Sequence, residues 1–186
     1  INNNGALNYI YITATPEQWF SIAREIRNSI KYICKPSYLY IDNTRIDNST
    51  PVLELSNDIP KGMLAGITFK DISIKNTVTK INTFAFSYTK ANNIIFEEGC
   101  SATLSVYSFI YCNASYVELS EGITSVVSAF NGANITTLVL PSTITDMSGA
   151  FQDYSTKIGT LIMKASTPPA GSTIFSSASV ITNKVW

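Results

Sequence analysis

Apolar residues recur along most of this chain on a fixed template. In TLVLPSTITDMSGAF, residues 137–151, Leu138 and Leu140 are followed by Ile144, Met147 and Phe151, with polar or small residues between them. With Leu140 as position zero, these stand at minus two, zero, plus four, plus seven and plus eleven. Leu119 repeats every offset with Val117, Ile123, Val126 and Phe130. Phe96 gives Ile94, Cys100, Leu104 and Phe109 with a residue or two of slack, and Ile74 gives Ile72, Val78, Ile81 and Phe86, one residue longer. Met163 gives Leu161 and, beyond Thr167-Pro168-Pro169, Phe175. The five anchors lie 22, 23, 21 and 23 residues apart. Self-similarity at that period predicts a solenoid of stacked coils.

A unit this short cannot bury its own apolar face, so neighbouring coils must stack into one core. Positions minus two and zero alternate with outward residues, as a strand with side-chain period two requires. Turn residues follow at once, in Glu98-Gly99, Glu121-Gly122 and Pro141-Ser142. Positions plus four, plus seven and plus eleven then return along the outer side, with the phenylalanine as the deepest plug. At roughly 1.5 to 3 kcal/mol per buried large apolar side chain, four or five per coil offset the chain entropy.

VELSEGITSVVSAF, LVLPSTITDMSGAF and LIMKASTPPAGSTIF resemble BspA-like leucine-rich repeats, common in surface and secreted proteins of host-associated bacteria. The resemblance covers about Val52 to the C-terminus, and the Pro-Pro repeat is its most specific part. It implies a curved parallel-sheet solenoid used for adhesion or binding, with no family catalytic residues to carry over. Composition alone reaches only a repeat protein.

The first third differs. Asn8 to Thr13 reads as a strand. Thr15-Pro16-Glu17-Gln18 supplies an N-cap, a first-turn proline and a capping-box glutamine. Trp19, Phe20, Ile22, Ala23, Ile26 and Ile30 then recur at helical spacing, so a helix is expected through about Ser29. Tyr38 to Ile46 reads as a hairpin turning at Asp42-Asn43-Thr44. Together these form an expected strand-helix-hairpin cap over residues 1–51, with repeats over 52–186: an α+β leucine-rich-repeat solenoid. Leu53 and Leu55 read as a first repeat strand with Ile59 at plus four. Met63 and Phe69 fall later than the template, so the register is firm only from about Asp71. At the far end Val180, Ile181 and Val185 suit a final half coil. Trp186 is expected to cover the Phe175 layer, unless that end meets another chain or the remainder of a longer protein.

The 186 residues carry 13 basic and 13 acidic side chains, so no basic field exists to hold a phosphate backbone, and no nucleic-acid partner is expected. No apolar run approaches the ~18 residues of a membrane span. Beginning at Ile1 without a methionine, the sequence reads as a processed or excised fragment. The sequons at Asn48, Asn113 and Asn134 matter only in a eukaryotic secretory pathway. Cys34, Cys100 and Cys112 make no disulfide framework. Cys100 occupies the core offset of Ile144 and reads as a small buried apolar residue, with a Cys100–Cys112 bridge as the alternative.

Candidate chemistry is sparse. Without histidine the chain has no Ser-His or Cys-His nucleophile pair and no HExxH metal motif. Gly62 to Gly66 lacks the spacing and lysine of a phosphate loop. Glu97 and Glu98 are adjacent in an extended segment and point to opposite faces. Asp42-Asn43 and Asp47-Asn48 offer oxygens, yet the EF-hand glycine and distal glutamate are missing. No enzyme, cofactor or metal is expected.

What remains is the outward face of the strands, at minus three, minus one and plus one. Its candidate binding residues are Ser73, Ile95, Tyr116, Glu118, Thr137, Val139, Ile162 and Lys164. Aliphatics beside Tyr116 on a rigid sheet suit contact with a surface protein or glycan, whereas outward β-branched residues also simply favour strands. The expected role is a non-enzymatic adhesion or binding module, extracellular or at the cell surface. The alternative is a structural or receptor-contacting part of a phage fibre or virion, bound to other chains of an assembly.

Overall fold

The structure, a computed structural model, describes residues 9–12, 38–41, 44–46, 52–171, 173–175 and 180–185. In chain order the strands are β1 (Tyr9–Ile12), β2 (Tyr38–Ile41), β3 (Thr44–Ile46), β4 (Leu53–Leu55), β5 (Asp71–Ile74) and β6 (Lys80–Ile81). They continue with β7 (Lys90–Phe96), β8 (Thr103–Leu104), β9 (Asn113–Glu118), β10 (Asn134–Leu140), β11 (Lys157–Met163) and β12 (Val180–Val185).

One strand from each coil joins a parallel sheet in the order β12-β11-β10-β9-β7-β5-β4. The template residues pair as the period demands: Ile72 with Ile94, Ile94 with Val117, Val117 with Leu138, and Leu138 with Leu161. A single register follows from the side-chain period of two, because a one-residue slip would turn every core residue outward. A second, narrower side is formed by β6 and β8 and extended by the bridges Ile59–Ile81, Ser125–Asp146 and Asp146–Ala170.

The template residues are buried in every complete coil, from Ile72 to Met163. At the end of each template the plugs form a spine: Phe86, Phe109, Phe130, Phe151 and Phe175 stack at ring separations of 4.5, 5.1, 6.1 and 5.5 Å. A further column at minus five holds Phe69, Ala91, Ala114, Ile135 and Ile158, all buried.

That column resolves the loose start of the repeat. Phe69 pairs its backbone with Lys90 and belongs to the second coil, while Leu64 takes the plug position of the first, its N–H bonding to Ala85 as that of Phe86 does to Ser108. Ile59 is shifted too: it bridges to Ile81, so it fills the plus-seven column and not plus four. The first coil is therefore shorter than the others and in register one coil earlier than Asp71.

At the N-terminus β1 and β2 pair in parallel, and β2 and β3 form the expected hairpin, with Ile41 opposite Thr44. The helix expected over Thr15 to Ser29 lies outside the described residues, as does Trp186. Every regular element among the described residues is a strand. β12 pairs with β11, giving the expected last half coil, and Phe175 is 36 % exposed there. Cys100 and Cys112 are both free and buried, so the bridge is not formed; burial pushes the Cys112 thiol up to about 12.

Candidate functional site

The register sets the candidate residues side by side. Asn93, Tyr116, Thr137 and Thr160 form one row, and Ser73, Ile95, Glu118, Val139 and Ile162 the next. Glu118 is fixed from two directions: Tyr116 Oη donates to its Oε2 at 2.8 Å and Lys164 Nζ to its Oε1 at 2.9 Å. The Lys164 hydrogen bond, then that of Tyr116, hold its carboxyl below the usual glutamate range against the opposing effect of burial. Lys164 belongs to the sixth coil and Glu118 to the fourth, so the pair spans the fifth. Val139 lies beneath that span.

This corrects one expectation. Val139 is only 3 % exposed and Pro141 is buried, so neither offers contact area. Ile95 and Ile162 remain half-buried and outward. A second charged group was missed. Lys75 donates to Glu54 at 2.8 Å and to Glu97 at 2.6 Å, joining three successive coils at plus one, minus one and plus one. Asn93 Nδ2 donates to Asp71 Oδ1 at 2.6 Å in the same region. Sequence spacing placed these residues on one face; which side chains would pair depended on reach across two strands.

The turn side carries the larger surprise. Two residues before each plug the backbone is left-handed in every coil: Gly62, Phe84, Tyr107, Ser128, Gly149 and Thr173, with φ between 50° and 67°. Two residues after the plug, Gly66, Tyr88, Tyr111 and Gly132 repeat it. Such residues turn alternate N–H groups toward the next coil, as in Phe84 to Tyr107, Tyr107 to Ser128 and Ser128 to Ser148. Glycine suits this conformation, whereas a bulky side chain costs about 1–2 kcal/mol there. Four aromatics nevertheless occupy it, stacked pairwise as Phe84 on Tyr107 at 6.0 Å and Tyr88 on Tyr111 at 4.9 Å. The signal was present in GMLAG, FAFSY, YSFIY and SAFNG, where glycine and aromatics share columns.

Tyr111 crosses the coil stack on this side. Its ring lies over Gly132, where a Cβ would come within 2.2 Å of it, and its Oη donates to Asp153 Oδ2 at 3.0 Å. Asp153 Oδ1 also accepts from Ser155 N–H and Oγ, and these bonds, with that of Tyr111, hold its carboxyl below the aspartate range. The carboxylates of Glu54, Asp71, Glu97, Glu118, Glu121 and Asp153 are thus engaged in structure. Among the described residues no three His, Cys, Asp or Glu side chains gather to hold a metal. The oxygens of Asp42-Asn43 and Asp47-Asn48 lie outside them.

A parallel sheet with one strand per coil, anchors 21 to 23 residues apart from Ile74 onward, and an apolar plug closing each coil defines a leucine-rich-repeat solenoid. The BspA type leucine-rich repeat region matches in six copies over residues 57–182, and the chain belongs to that family. No curated protein and no solved structure matches it. Its family is typically one of non-enzymatic protein-interaction modules, often in surface adhesion proteins. No helix among the described residues is long and apolar enough to cross a membrane.

Proposed function

We propose that this chain is a non-enzymatic binding and adhesion module of a bacterial cell-surface or secreted protein, and that its partner, a protein or glycan, docks on the outer face of the sheet. The observation that supports this most is the held carboxylate of Glu118, standing between outward Ile95 and Ile162. A polar group already fixed by Tyr116 and Lys164 loses little freedom on binding, and flanking aliphatics supply area to bury. Thr137 and Ser73 extend the surface on either side.

A binding panel of purified extracellular-matrix proteins and immobilised glycans, read by biolayer interferometry, tests this. The wild-type chain binds at least one member, and Ile95→Glu weakens that binding at least tenfold while the melting temperature holds. Binding that survives Ile95→Glu and Ile162→Glu alike would place the partner on another surface.

A further inference from the structure

An open cleft of about 530 Å³ lies on the turn side of the coils, away from the sheet face, with Tyr107 of the third coil at one end and Phe175 of the sixth at the other. Its volume falls in the range of about 300–1,000 Å³ used by small-molecule sites. The origin of the cleft is readable in the column before the plugs. Side-chain bulk there falls from Phe84 and Tyr107 to Ser128 and Gly149, leaving the flank of Tyr107 open.

Asn131 lines this cleft and is only 7 % exposed. Its Oδ1 accepts from the N–H groups of Gln152 at 2.7 Å and Asp153 at 3.1 Å. Two backbone donors on one oxygen fix which way the amide points, so the Nδ2 amino group faces the other way. That amino group makes no hydrogen bond among the described residues. It is not sealed off either, since Ser108 Oγ is the one solvent-inaccessible side-chain polar atom there without a partner. The Asn131 amide is therefore held in one orientation at the cleft wall, with its amino group unpaired among the described residues and not wholly sealed from solvent.

The remaining lining selects the ligand's chemistry. Tyr107, Tyr154 and Phe175 are exposed aromatic rings, Tyr154 at 76 %. Gln152 adds an exposed amide. Among the described residues the only carboxylate lining the cleft is that of Asp153, already bonded to Ser155 and Tyr111, and none of them that lines it is a lysine or arginine. Without a cation, phosphate or acidic ligands find no counter-charge. With the carboxylate engaged, a cationic ligand gains little. Flat rings beside fixed amide donors instead match a molecule with apolar C–H faces and hydroxyl edges. We infer that this cleft binds a neutral oligosaccharide, its ring faces on Tyr107 and Tyr154 and a hydroxyl accepting from Asn131 Nδ2.

The probe is a set of neutral trisaccharides built on glucose, mannose, galactose and N-acetylglucosamine, read by saturation-transfer NMR and by the Asn131 side-chain amide signal. At least one binds and shifts that signal. Asn131→Asp keeps the acceptor for both backbone N–H groups and removes the donor, and it weakens binding at least tenfold. Tyr154→Ala, at a position too exposed to matter for folding, does the same. The inference is overturned if no trisaccharide binds at millimolar concentration, if binding persists in both variants, or if only charged peptides bind and move the Asn131 signal.

Discussion

Lys164 Nζ reaches Glu118 Oε1 at 2.9 Å across an intervening coil, 46 residues away in sequence. On the turn side Tyr111 makes the matching move, bridging the third coil to Asp153 of the fifth over Gly132. Neighbouring coils are held by backbone ladders; these two side chains tie next-nearest coils and stiffen the surfaces on which binding is proposed.

The phenylalanine spine sets the stability. Phe130 is wholly buried and stacks on Phe109 and Phe151, so Phe130→Ala leaves a cavity and costs about 3–5 kcal/mol. Chemical denaturation measures this. A loss below about 1 kcal/mol would mean that the stack is not the core.

Turn-side substitutions have opposite signs. Ser108 Oγ is buried without a partner, in a column that holds Ala85, Ala129 and Ala150, so Ser108→Ala stabilises by about 1 kcal/mol. Gly132→Ala places a methyl group against the Tyr111 ring at a φ of 67°, and destabilises by at least about 1 kcal/mol. Thermal melts of both variants check the pair, and equal shifts in one direction would contradict the backbone described.

Stability against pH should form a plateau with two edges. Hydrogen bonds hold Asp58, Glu118, Glu121, Asp146 and Asp153 below their ordinary values, through Thr79, Lys164, Ser142, Ser148 and Ser155 respectively. Folded values below unfolded ones of about 3.9–4.3 give stability that is complete above that range and lost as pH falls through the folded values. Tyr111, bonded to Asp153, and Tyr116, shielded by burial and bonded to Glu118, are raised, and burial raises the Cys100 and Cys112 thiols. Their contributions are complete below unfolded values of about 8.5 for the thiols and about 10 for the tyrosines, and are lost as pH rises through the folded values. With no histidine, the melting temperature stays flat between about pH 5 and 8. A step inside that window in a melting series would contradict this assignment.

Period and burial were legible in the sequence because stacking forces the same residue types to the same offsets. Leu138, Leu140, Ile144, Met147 and Phe151 lie where the pattern put them. The first coil was harder, since Ile59 and Leu64 reach the correct columns through a shortened turn that apolar spacing alone does not encode. Glu118 and Lys164 were placed on the right face, but their pairing across Val139 depends on side-chain reach. Phe84 and Tyr107 were passed over because aromatic residues do not announce a left-handed backbone; only their alignment with Gly62 and Gly149 does.

The proposal for the sheet face is tested most directly by Glu118→Lys, with melting temperature and partner affinity measured on the same sample. The substitution removes a surface ion pair and one hydrogen bond, so stability falls by only about 0.5–1 kcal/mol. Affinity for the bound surface protein or glycan should drop at least tenfold. Unchanged affinity in a protein with a near-native melting temperature would contradict the proposal that this face carries the contact.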